Sequence, residues 1–164
     1  MDTFAVLAFG SNIGDGKAII SAAYDRLCDQ SCQLLSFSSF YKTKPWGVTD
    51  QHDFINSVGL FKTSLLADRL LIQCQKVEAE LGRQKRYKWG PREIDIDIIY
   101  FGDQIIDQKD LKVPHPFLYE RLFVLQPMQE IIPYWIDPLK RKSVGQLLVD
   151  YNNAEEVRGQ LDFN

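Results

Sequence analysis

The sequence predicts an α+β fold, an antiparallel sheet carrying helices on its faces as α/β/α layers. Two observations lead there. Short apolar or alternating runs at 4–9, 34–41, 54–62 and from Ile94 to Tyr100 have strand length and composition. Two longer segments, 17–28 and 64–81, repeat apolar residues at helical spacing. Their order, strand–helix–strand–strand–helix–strand, is the split βαβ arrangement of ferredoxin-like domains.

Each element has its own local reason. The first run is apolar enough for a buried strand and stops at Gly10-Ser11-Asn12-Ile13-Gly14. Ile19, Ile20, Ala23, Tyr24 and Leu27 give the first helix its apolar side. In the second strand Phe37, Ser39 and Tyr41 alternate with Ser36, Ser38 and Phe40. Thr43-Lys44-Pro45-Trp46-Gly47 breaks it, and a polar loop continues through Gln51. Ser64 is expected to cap the second helix, whose Leu66, Leu70, Cys74, Val77 and Leu81 face inward, with Gly82 as its stop. After the fourth strand, Gly102-Asp103 is expected to fold a hairpin back onto 104–106. The C-terminal part reads as short helical pieces between Pro114, Pro116, Pro127, Pro133 and Pro138, then a helix over 143–150. The whole of 1–164 is expected to form one domain, its tail after about 152 loosely attached.

Composition limits the function. The chain is 45% hydrophobic and 25% charged with net charge −3, which disfavours a wide phosphate-binding surface for nucleic acid. No apolar run approaches the roughly 20 residues of a membrane span. The start, Met1-Asp2-Thr3-Phe4, lacks the basic stretch of a signal peptide. Cys28, Cys32 and Cys74 form no CxxC pair, which suits reduced thiols rather than zinc. A cytoplasmic protein without membrane or nucleic-acid partners is expected.

The most informative stretch is Trp89-Gly90-Pro91-Arg92-Glu93-Ile94-Asp95-Ile96-Asp97-Ile98. Side chains alternate in a strand, so Asp95 and Asp97 share a face about 7 Å apart. Two short acids on rigid backbone suit a hard divalent cation such as magnesium, which in turn organises phosphate oxygens. Arg83, Lys85, Arg86, Lys88 and Arg92 crowd the loop feeding this strand. Arginine forks beside metal carboxylates make a triphosphate site, and glycines at both ends suit a closing lid. The Gly10–Gly16 turn is no P-loop: five residues separate those glycines, and Ala18 cannot ligate a metal. His115 lies between Pro114 and Pro116, which restrict its backbone and suit an exposed, oriented imidazole near phosphates, followed by Arg121 and Phe123. Phe54 and Asn56 share a strand face, a ring to stack on a planar heterocycle beside an amide to read its edge. Tyr41, Thr43, Pro45, Trp46, Trp89 and Phe123 complete the aromatic and polar group.

Taken together, these residues resemble the 6-hydroxymethyl-7,8-dihydropterin pyrophosphokinase family. The matching pieces are Gly10-Ser11-Asn12-x-Gly14, Tyr41-x-Thr43-x-Pro45-x-Gly47, Gln51-x-x-Phe54-x-Asn56, Glu78-x-x-Leu81-Gly82-Arg83, the Trp89 to Asp97 stretch, and Pro114-His115-Pro116 with Arg121-x-Phe123-Val124-Leu125. The resemblance implies transfer of the β,γ-diphosphate of ATP to the hydroxymethyl group of the pterin, releasing AMP. It implies two Mg2+ ions on Asp95 and Asp97, with ATP as co-substrate; a monomer is expected. Arg83 and Arg92 join those aspartates in catalysis; Glu78, Arg83, Trp89, Arg92, Ile98, His115 and Arg121 attend ATP. Thr43, Pro45, Trp46, Phe54, Asn56, Trp89, Asp95 and Phe123 shape the pterin pocket. Gln84-Lys85-Arg86 departs from the second arginine that members often carry, leaving Lys85, Arg86 and Lys88 as alternatives for phosphate.

Overall fold

The computed structural model describes residues 1–45, 50–84, 86–88 and 90–163. Its elements are β1 (Thr3–Ser11), α1 (Gly16–Leu27), β2 (Cys32–Phe37), β3 (Tyr41–Thr43), β4 (Phe54–Thr63), α2 (Ala67–Glu80), β5 (Asp95–Phe101), β6 (Ile106–Asp107), β7 (Lys112–Val113), a 3-10 turn (Leu118–Glu120), α3 (Leu122–Ile131) and α4 (Val144–Phe163). The main sheet runs β2-β4-β1-β5, and β3 continues the β2 edge along β4. Its pairings are antiparallel, so β1 and β2 run parallel on either side of β4, while β4 and β5 flank β1. This is the split βαβ topology expected.

Both faces of the sheet are covered, which explains strands apolar at nearly every position. Ala5, Leu7, Phe9, Phe61, Ile94, Ile96 and Ile98 pack with α1 and α2; Val6, Val58, Ile99 and Tyr100 pack with α3 and α4. Gly59 belongs to the first face, where an added methyl would lie 2.6 Å from the Tyr24 ring. No helix among the described residues is long and apolar enough to cross a membrane.

The second strand is not continuous over 34–41. Ser38 donates its backbone N–H to Val58 O at 2.8 Å, while its hydroxyl accepts from Val58 N at 2.9 Å. A side-chain oxygen replaces a carbonyl in the ladder, so the chain steps sideways and resumes as β3. Ser64 does not cap α2. Its N–H is spent on Ser31 O, Thr63 Oγ1 accepts from Leu65 N, and the cap position falls to Leu66 without a side-chain bond. Gly82 does end the helix. With φ +89° it lets Arg83 N reach Glu78 O and its own N–H reach Ala79 O, a Schellman closure.

The hairpin expected after β5 is absent. Gly102 N bonds to Phe4 O at 2.7 Å, holding the turn on β1, and β6 pairs with β7 instead. Nor does the last helix stop near Asp150: Leu147, Leu148 and Tyr151 seat its first turns, and it runs on to Phe163 with 152–158 exposed. No proline interrupts 143–163, so nothing local breaks the run.

Two details fix the active end. β5 carries a bulge: Leu7 pairs with Ile98 and Val6 with Tyr100, leaving Ile99 over. The carbonyl of Ile99 accepts from His115 N at 3.1 Å. Fully buried Asp137 accepts from Tyr100 OH at 2.6 Å, Tyr119 OH at 2.8 Å, and the backbone N–H groups of Leu139 and Lys140.

Candidate active site

Strand register brings the site together in one row. Gly10 of β1 stands opposite Asn56 on one side and Asp95 on the other; Ala8, two residues back, faces Asp97. The central strand therefore offers a small-residue floor, with an amide and two carboxylates on its flanks about 10 Å apart. An added methyl at Gly10 would lie 3.1 Å from Asn56 Oδ1, close enough that the amide would have to shift by a few tenths of an ångström. Asn56 donates to Thr43 Oγ1 at 2.5 Å, which fixes its amide.

A cleft open at its mouth is lined here by Thr43, Phe54, Asn56, Arg92, Asp95, Asp97, Arg121 and Phe123. All eight are among the residues expected from sequence. Ala8, Phe9, Gly10, Lys44 and Val124 line it too and were not foreseen. Gly10 had been legible only as a turn residue, because its role appears once β1 and β4 are paired.

Charge is arranged around the carboxylates. Asp95 accepts from Arg83 at 3.1 Å and from Arg92 at 3.0 Å. Asp97 faces Arg121 and the Nε2 of His115, each at 3.9 Å. Burial first, and then Asp95, push the Asp97 carboxyl up, against the pull of Arg121 and Arg92. The Arg121 guanidinium lies over Phe117 at 5.2 Å and Phe123 at 5.5 Å, so rings hold its plane. Burial, and then Arg121, bring His115 down to about 4, leaving it neutral at neutral pH. Its Nδ1 accepts from Phe117 N at 3.2 Å, so Nε2 carries the proton and points to the carboxylate side. The ring is half-buried rather than exposed as its flanking prolines suggested.

Other expected residues sit differently. Glu78 is buried, and its carboxylate is spent on Arg83 and on Ile96 N at 3.1 Å, bracing β5 from α2. Burial, then Asp95, raise its carboxyl. Ile98 lies in the core on the opposite sheet face, 4% exposed. Pro45 follows β3 but does not line the cleft. Arg86 is held by Glu93 through two bonds of 2.8 Å, closing the basic loop on itself. Trp46, Lys85 and Trp89 lie outside the described residues.

Two organising residues had no role readable from the sequence, Asn12 entering only as part of the Gly-Ser-Asn motif. Glu130 on α3 accepts from Ser39 N at 2.9 Å and from Tyr41 OH at 3.0 Å, fastening β3 beside Asn56. Tyr41 thus points to α3 instead of the cleft. Asn12 links two loops and is treated below.

A ferredoxin-like sheet with paired carboxylates, arginines and an aromatic slot at one end is an arrangement chemically suited to phosphate transfer. Residues 6–133 match the model of the 7,8-dihydro-6-hydroxymethylpterin-pyrophosphokinase family, and the chain belongs to that family. The 2-amino-4-hydroxy-6-hydroxymethyldihydropteridine pyrophosphokinase of Aquifex aeolicus is 47% identical over 140 residues, 85% of this chain and 87% of that one. The Bacillus subtilis protein of the same name is 43% identical, over 80% and 79% of the two chains. A Plasmodium falciparum HPPK-DHPS crystal structure with pteroate superposes with TM-score 0.76 at 15% identity, over 99% of this chain and 44% of that one. At that identity the last likeness speaks for the fold. The chain is an ATP-dependent diphosphotransferase of folate biosynthesis.

Proposed function

We propose that the cleft is where the diphosphate of ATP passes to 6-hydroxymethyl-7,8-dihydropterin, and that the Asn56–Gly10–Asp95 row carries the reaction. The pterin lies toward Asn56, its edge read by the Thr43-fixed amide and its faces against Phe54 and Phe123. That puts its hydroxymethyl group over Gly10, pointing at the carboxylates. The hydroxymethyl oxygen attacks the β-phosphorus and gives up its proton to water, while the bond from β-phosphorus to the α–β bridging oxygen breaks and AMP leaves with that bond's electron pair. Such a transfer needs alignment and charge neutralisation more than covalent help.

The donor set fits magnesium. Asp95 and Asp97 share one face at the cleft, and burial first, then the Asp95 charge, raise the Asp97 carboxyl, both costs that a bound cation relieves. Carboxylates from the protein, with phosphate oxygens and water completing the shell, are what magnesium takes. Asp95 and Asp97 would hold two Mg2+ ions, which when bound with ATP supply charge neutralisation at the phosphate oxygens. Arg92 and Arg121 line the same cleft and bind the remaining phosphate charge; Arg83 reaches it from beside Asp95. His115 donates its Nε2 proton to a phosphate oxygen. The family likeness alone assigns Pro45, Trp46 and Trp89 to the pterin and Glu78 and Ile98 to the ATP side. We assign the enzyme to the cytoplasm, as a monomer.

Incubation with ATP, magnesium and the hydroxymethyl-dihydropterin is expected to yield AMP; ADP would mean transfer of a single phosphoryl group. Asp97→Ala is expected to lower kcat about a thousandfold with the fold intact by circular dichroism. Wild-type turnover in that variant would remove the site assignment while leaving the family membership standing.

A further inference from the structure

Asn12, the first residue past β1, has no part in the site as described, yet it is 7% exposed with both ends of its amide in use. Nδ2 donates to Gln51 Oε1 at 2.8 Å and to His52 O at 3.0 Å. Oδ1 accepts from Arg92 N at 2.9 Å, and the backbone N–H of Asn12 donates to Arg92 O at 3.1 Å. Segment 51–52 leads directly into Phe54 and Asn56; the Arg92 backbone aims a guanidinium at Asp95. One side chain therefore fastens the start of the pterin wall and the end of the basic loop to the tip of the central strand. An amide suits this post because it donates and accepts at once.

We infer that Asn12 is a positioning residue for the transfer, its Nδ2 end setting the pterin wall and its Oδ1 end setting Arg92. This rests on the proposed assignment of Asn56 to the pterin and Arg92 to phosphate. The two ends serve different substrates, so they separate chemically. Asn12→Asp keeps an oxygen for Arg92 N but loses both donations to 51–52. Asn12→Ala loses both ends. Gln51→Leu removes one acceptor on the pterin side and leaves Asn12 untouched.

Steady-state kinetics with the full chain, ATP, magnesium and hydroxymethyl-dihydropterin test this, with thermal melting of each variant alongside. Asn12→Asp and Gln51→Leu are expected to raise the KM for the pterin about tenfold with kcat within about threefold of wild type. Asn12→Ala is expected to lower kcat about tenfold or more in addition. A merely structural asparagine would move both parameters together in every variant, or none. Either pattern overturns the inference, and if Asn12→Ala fails to fold the split in Asn12→Asp and Gln51→Leu decides. Asp97→Ala, run beside them, tells the two readings apart. If it keeps wild-type turnover the site itself is misplaced; if it is inactive while the Asn12 variants show no split, only this inference fails.

Discussion

At Gly10 the absence of a side chain is the functional group. The strand register sets it between Asn56 and Asp95, and a methyl there would press on the Asn56 oxygen from 3.1 Å. Gly10→Ala is expected to raise the KM for the pterin about tenfold while the KM for ATP stays near wild type, as separate substrate titrations would show. An unchanged pterin KM would mean that the pterin does not lie on this row. The residue scale also shows what a sequence can reveal. Asp95 and Asp97 were legible because strand alternation is a rule of nearest neighbours, and so was the pairing of Phe54 with Asn56 on one face. Gly10 beside Asn56, and Asn12 beside Arg92, join positions 46 and 80 apart, and no local rule links them.

Elements were legible where their ends depend on local chemistry and less so where a distant partner decides. Gly82 stops α2 through its own backbone conformation, so it could be read in advance. The break between β2 and β3 could not, because it follows from Ser38 bonding to Val58 across the sheet. The segment from His115 to Arg121 is held in the same non-local way: Tyr119 and Tyr100 both end on Asp137. Asp137→Ala strips the buried Tyr100 hydroxyl, the half-buried Tyr119 hydroxyl and two backbone N–H groups of their acceptor. The expected loss is about 3–5 kcal/mol in urea unfolding. Asp137→Asn should lose less, since its oxygen still serves Leu139 and Lys140 while the tyrosines turn to accept. Equal losses in the two variants would place the stabilisation in the negative charge itself.

For the whole molecule, the two-sided burial of the sheet gives a stability profile on the alkaline side. Tyr24, Tyr100 and Tyr119 have phenols raised above the ordinary 10.0, chiefly by burial; Asp137 adds to this at the latter two. Above that ordinary value the unfolded chain sheds these protons and the folded one keeps them. The unfolded state then binds fewer protons, and stability must fall as pH rises. Urea midpoints are expected to begin falling at about pH 9, where the buried Cys32 and Cys74 thiols join in, and to drop more steeply beyond about pH 10, with tyrosinate absorbance from these three appearing together with unfolding. Gradual ionisation of all seven tyrosines ahead of unfolding would contradict their burial. The split βαβ order, which two helical periods and four strand-like runs had announced, is what creates two covered faces.

The surplus residue in β5 sets how the later chain is counted. Up to Ile98 odd positions look toward α3 and α4, and after Ile99 the parity reverses, so Tyr100 looks the same way as Asp97 while Phe101 joins the other core. Deleting Ile99 would restore an even ladder with Tyr100 still opposite Val6, and it would take away the carbonyl that tethers His115. Length is therefore rigid between Asp97 and Phe101, whereas the β6–β7 excursion can gain or lose residues without disturbing that count.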